Sequence, residues 1–187
     1  MIDMGLGELG GPSIIHKRKF RWTFEVTKGP CGLTVPRNFV KLAARPNLSV
    51  EETEINFLNG KTWIPGKASW ETITVTYYDV AGDANIGLWN WIAAVYNYTD
   101  PVRLQQGSAR SDYAATTELV LYDGCGEELE IWTMDDTWPQ AIQFGELDYS
   151  NSEEVTVELT LRYAQVKYEN RCGINPSPCC ETTCASA

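Results

Sequence analysis

The chain has 187 residues, 43% of them hydrophobic, and carries 25 acids against 15 Lys and Arg, for a formal net charge of −10. That size suits one domain with a real core. An acidic balance of this kind repels nucleic acid over most of a surface and argues against a sequence-reading DNA binder. The one dense basic run, His16-Lys17-Arg18-Lys19-Phe20-Arg21, is short and reads as a solvated strand entry. No apolar stretch approaches the roughly 20 residues needed to cross a bilayer, so no membrane contact is expected.

Residues 1–15 are Gly-rich and weakly patterned, and read as an N-terminal arm. They hold Asp3 and Glu8 and no basic region before an apolar run, so no signal peptide is expected and synthesis is expected in the cytosol. Phe20, Trp22, Phe24 and Val26 then alternate with polar residues at the period of a half-buried strand. Residues 39–44 predict a second strand, stopped at Arg45-Pro46, and residues 48–58 an acidic extended segment. "NGKTWIPGKASW", residues 59–70, reads as a turn-rich excursion with Trp63, Ile64 and Pro65 near its middle. In residues 71–78, Ile73, Val75 and Tyr77 alternate with Thr72, Thr74 and Thr76.

A helix is predicted from Asn85 to about Asn97, with Asp83 or Asn85 as its cap and Asp100-Pro101 as its limit. Its small and polar positions, Gly87, Asn90, Ala94 and Asn97, form one narrow strip, and the rest is apolar. Either a sheet and a loop sandwich such a helix, or a second chain covers it. Residues 102–116 read as a polar loop. Residues 117–123 and 128–134 predict a hairpin around Gly124-Cys125-Gly126, and 155–163 the last strand, with 136–154 crossing between them. The sum is a mainly β (α+β) fold: an antiparallel β-sandwich or barrel with one flanking helix. Its β domain spans residues 16–169, and a Cys-rich tail occupies 170–187.

Chemistry is poorly provided for. One histidine, His16, lies beside the arm, where nothing positions it for a triad. The acid pairs, such as Asp135-Asp136 and Glu153-Glu154, read as solvated faces. Cys172, Cys179, Cys180 and Cys184 lack the paired spacing of a structural zinc site, and no calcium-loop pattern is present. No catalytic residue, metal or cofactor is expected. Many strand edges, which must be paired or covered, point instead to a ring-forming β protein.

The segments "ARPNLSVEETEINFLNGKTWIPGKASWETITVTYYDV" and "GLWNWIAAVYNYTDP", and then Trp138-Pro139, Phe144 to Ser150 and Leu161-Arg162-Tyr163 in that order, resemble the tail tube proteins of contractile-tailed bacteriophages. Tubes of type VI secretion and of tailocins are similar. The resemblance covers roughly residues 17–169; the Cys-rich tail and "KGPCGLT" fall outside it. It implies homohexameric rings whose inner sheets join into a continuous barrel, stacked into a hollow tube. It further implies a surrounding sheath, a baseplate tube initiator and a tail terminator as partners. DNA would pass through the bore without specific binding, in a structure assembled in the host cytoplasm and resident in the virion tail. An acidic bore would keep DNA from adhering. Glu52 and Glu54, or Thr72, Thr74 and Thr76, are the candidate bore residues. Trp63, Ile64, Pro65 and Gly66 are candidates for ring-to-ring contact or for folding back on their own domain. Leu88, Trp91 and Val95 are candidates for contact with a neighbouring subunit or for the chain's own core. The alternatives are a tube-initiating baseplate protein, the tube of a tailocin or secretion machine, and, from another class, a glycan-binding or glycan-cleaving virion module.

Overall fold

The computed structural model describes residues 17–30, 33, 35–82, 85–100 and 109–171. The expected arm at 1–15, the Cys-rich tail from Cys172 onward and Asp83 lie outside them. The described chain runs β1 (Trp22–Lys28), β2 (Val40–Ala43), β3 (Leu48–Phe57), β4 (Gly60–Trp70), β5 (Ile73–Tyr78), α1 (Ile86–Val95), β6 (Ala115–Tyr122), β7 (Glu128–Gln143), β8 (Thr156–Arg162) and β9 (Gln165–Asn170). All pairings are antiparallel. The order is β1-β6-β7-β8-β5-β2, with β9 also paired to β7, while β3 and β4 form a separate two-stranded sheet. The expected mainly β fold with one helix is what the chain adopts.

β7 makes the sandwich. Its first half pairs with β6 and β9, and its second half with β8. Between the halves Asp136 takes a left-handed φ of 55° and the β6–β7 register slips between Ala115 and Thr117, so the strand turns a corner. A buried relay holds that corner: the Thr117 and Thr137 hydroxyls are 3.0 Å apart, and Thr137 donates to the Met134 carbonyl at 3.1 Å. The core fills the space between the layers. Phe24, Leu119 and Met134 come from one layer, and Val75, Tyr77, Leu159 and Leu161 from the other. Burying each such side chain contributes on the order of 1.5–3 kcal/mol.

Several expectations need correction. Residues 59–70 are not an excursion of turns; Asn59 ends the β3–β4 turn and the rest is strand β4. Residues 136–143 are not a crossing; they are the second half of β7, with Pro139 beside a bulge in the β8 register. Tyr163 does not end the β structure, because β9 follows and returns along β7. Asn85 does not cap α1 with its side chain. It is buried, and its Nδ2 donates to the Tyr78 carbonyl at 3.5 Å.

Candidate assembly surface

The β3–β4 hairpin is built unlike the rest of the molecule. Every residue of β3 is exposed, and every residue of β4 except the half-buried Trp70. An isolated two-stranded hairpin in water is marginal. This one nevertheless carries large apolar side chains on both of its faces. Across the ladder Leu48 faces Trp70, Val50 faces Ala68, Glu52 faces Pro65 and Glu54 faces Trp63, all on one face. Thr53 with Ile64 and Ile55 with Thr62 lie on the other, and Phe57 follows on that side at the tip. Trp63 is 56% exposed, and Leu58 at the tip, with φ 47°, is 94% exposed. Exposed apolar groups on this scale mark a contact surface.

The root of the hairpin is fixed. The Glu71 amide donates to the Asn47 carbonyl at 3.0 Å and closes it. Trp70 packs on Tyr163 with ring centroids 6.5 Å apart. Arg45, just before the hairpin, pairs at 3.1 Å with Glu130, whose side chain is buried. Lys17 pairs with the other carboxylate oxygen, and the Trp132 indole N–H donates to Glu130 at 3.3 Å. Desolvation pulls the Glu130 pKa up. The hydrogen bonds from Lys17 and Trp132 and the charges of Lys17 and Arg45 outweigh it and hold the group below the ordinary glutamate value.

The second exposed feature is the connection between β7 and β8. The Phe144 ring stacks on Trp89 of α1, with centroids 5.7 Å apart and planes 1° from parallel. Gly145 has φ 76°, and a Cβ there would lie 2.8 Å from the Thr156 carbonyl oxygen, so only glycine fits. Asp148 accepts the Ser150 amide at 2.9 Å and the Ser150 hydroxyl at 2.8 Å, and these bonds lower its pKa. Leu147 and Tyr149 stand out in solvent at the tip. Acids at this loop were visible in the sequence. Its preorganisation was not, because the stack on Trp89 joins residues far apart in the chain.

No protein-family model matches the chain, and no curated protein sequence matches it. Solved structures do. The chain aligns with a structure of the anti-feeding prophage tube-terminating cap over 89% of its own length and 99% of that chain, with TM-score 0.66 and 18% identity. It aligns with a chain of the sheath–tube complex of the PVC extracellular contractile injection system in the extended state over 88% and 97%, with TM-score 0.61 and 17% identity. A chain of the anti-feeding prophage baseplate, solved with sixfold symmetrisation, aligns over 86% and 97%, with TM-score 0.61 and 13% identity. The chain shares the fold of these cap, sheath–tube and baseplate chains.

Within this fold the expected site residues separate into three places. Trp63, Ile64, Pro65 and Gly66 lie in β4, and Glu52 and Glu54 lie opposite them in β3. Candidate bore and contact residues thus share one hairpin. Thr74 and Thr76 are half-buried on the outer side of β5, opposite Thr160 and Glu158 of β8, and Thr72 is half-buried just before the strand. Leu88 and Trp91 lie on the inner face of the helix. Both are fully buried in the chain's own core, and the Trp91 indole N–H donates to the Tyr113 carbonyl at 2.9 Å. The buried face of α1 is Gly87, Leu88, Trp91 and Ile92, so Gly87 lies on the inner face rather than marking the wet side of the helix. Val95 is half-buried at the helix end. Among the described residues no group of three or more His, Cys, Asp or Glu is arranged to hold a metal, and no helix is long and apolar enough to cross a membrane.

Proposed function

We propose that this chain is a structural subunit of a contractile phage tail. It closes into homohexameric rings, and the rings stack into a hollow tube inside a sheath, through which the genome is delivered. The observation that carries this reading is the β3–β4 hairpin, rigidly rooted and apolar on two exposed faces. Such a hairpin is stable only when both faces are covered, as they are when it is inserted between other copies of the chain. Baseplate, sheath and terminator are its other partners, and it works by assembly and passive conduction without making or breaking bonds. The outer side of β5 and β8, rich in threonine, lines the bore and offers phosphate little to adhere to. Assembly takes place in the host cytoplasm.

A second reading, that the chain caps or starts a tube, is supported by the likeness to a tube-terminating cap at TM-score 0.66. The tube of a tailocin or secretion machine would be built in the same way. Negative-stain microscopy of the purified protein separates these readings. Long stacks of sixfold rings are expected of a tube subunit and single rings of a cap or initiator. A monomer that persists at high concentration contradicts all of them.

A further inference from the structure

Beside the hairpin root lies a cavity of about 310 Å³, lined by Lys17, Arg18, Lys19 and Arg45 over an apolar floor that includes Trp22 and Leu42. Glu130 serves Lys17 and Arg45, but among the described residues neither Arg18 nor Lys19 has an acidic partner, so the cavity stays positive. The basic run that reads as a solvated strand entry in the sequence is therefore one wall of a cavity. The β7–β8 loop has the opposite character. Between residues 144 and 156 it carries Glu146, Asp148, Glu153 and Glu154 and no Lys or Arg. It presents Leu147, 83% exposed, and Tyr149, fully exposed, on a backbone already held by Gly145, Phe144 and the Asp148 turn.

The root of the loop and the charged rim of the cavity lie apart on the chain. Thr156 lies opposite Tyr78, at the last residue of β5. Arg45 lies beyond the other end of that strand, because the Ala44 amide donates to the Thr74 carbonyl at 2.9 Å. Five steps of β5 separate Thr156 from Arg45 by roughly 16 Å along the strand, and two steps separate it from Leu42 on the cavity floor, which lies opposite Thr76. The root of the loop is held by the Phe144 stack on Trp89 and by the left-handed turn at Gly145.

We propose that the acidic 144–155 loop of one copy docks in the basic cavity of a second copy, with Tyr149 and Leu147 on its apolar floor and Glu153 and Glu154 meeting Arg18 and Lys19. This rests on the self-assembly reading above and gives it a specific joint. Donor and acceptor at two different places on one chain make a head-to-tail contact, which generates rings or stacks rather than closed pairs. A preorganised aromatic tip entering an apolar pocket inside a charged rim is the usual form of a tight contact point. The charges steer and register the docking.

Charge reversal tests it. Arg18→Glu with Lys19→Glu, and separately Glu153→Lys with Glu154→Lys, should each raise the concentration needed for assembly at least tenfold, by sedimentation and negative stain. Mixing the two variants should restore assembly, because each supplies the partner the other lacks. All four positions are exposed, so circular dichroism should report an unchanged fold. As an independent measurement, benzoylphenylalanine at position 149 should photocrosslink to residues 17–22 or 42–45 of a second copy. Variants that assemble like wild type, or crosslinks confined to the same copy, overturn the docking while the tube reading stands. Wild-type protein that stays monomeric overturns both.

Discussion

Glu54 stands directly opposite Trp63 in the β3–β4 ladder, so the two side chains leave the hairpin on the same face. Thr53 and Ile64, one residue along, leave on the other. One face cannot line a water-filled bore and be buried in a contact at the same positions. Lys61 pairs with Glu54 at 2.8 Å and neutralises it, which suits a contact face better than a bore. The threonines of β5 are left as the bore candidates. Trp63→Ala and Ile64→Ala, on opposite faces, should each weaken assembly tenfold or more. Both should leave monomer stability within about 0.5 kcal/mol, since exposed groups contribute little to the fold. Urea unfolding beside sedimentation checks the two halves of that claim.

Trp91→Asp should unfold the monomer rather than block assembly. The side chain is fully exposed to the core and to no solvent, and its N–H is used by the Tyr113 carbonyl. Loss of packing together with burial of a carboxylate should cost about 3–5 kcal/mol or more. Circular dichroism of the variant should show a chain unfolded or nearly so at 25 °C.

The reach of sequence reading is visible in these two cases. β5 and β8 were legible because one face of each is buried, which imprints Ile73-Val75-Tyr77 and Val157-Leu159-Leu161 at period two. β4 was not, because neither of its faces is buried within the chain and no alternation is imposed. Gly60, Pro65 and Gly66 then read as turn residues. In β7, residues 136–143 read as part of a crossing, whereas Asp136 and Pro139 mark a corner and a bulge inside one long strand. β9 left a signal, Val166 and Tyr168 alternating with Gln165, Lys167 and Glu169, but its partner on β7 had to be known before that short run meant a strand. For the site, Trp63 could be picked out as a candidate contact residue, and it stands exposed on the hairpin. The cavity could not, since its walls come from residues 17–19 and 45.

Gly145→Ala should lower stability by about 1–3 kcal/mol, through a left-handed φ of 76° and a Cβ placed 2.8 Å from the Thr156 carbonyl oxygen. It should also loosen the Phe144–Trp89 stack. Thermal unfolding and near-ultraviolet circular dichroism measure the two effects.

Tyr77→Phe should be neutral or stabilising, by up to about 1 kcal/mol. The Tyr77 hydroxyl is fully buried with no hydrogen-bond partner among the described residues, and burial pushes its pKa far up. Removing a polar group that was desolvated without compensation relieves a penalty rather than creating one. Urea midpoints of the two proteins at pH 7 test this.

Acid should act on the hairpin root. Glu130 has a folded pKa below its unfolded value of about 4.3, so its contribution is complete above that value and is lost as pH falls through the folded one. Protonation removes the acceptor that Lys17 and Arg45 share. Glu130→Gln should be less stable at pH 7 by about 1–3 kcal/mol and should lose less stability between pH 5 and pH 3. Urea titrations across that range compare the slopes.

The most direct measurement removes the hairpin itself. Asn47 and Glu71 are already joined by a hydrogen bond of 3.0 Å, so residues 48–70 can be replaced by a short Gly-rich link without moving β2 or β5. The shortened protein and the wild type would be compared by negative-stain microscopy and light scattering at equal concentration. The account predicts sixfold rings or tubes from the wild type and a folded monomer from the shortened chain. Rings or tubes formed equally well without the hairpin would contradict it.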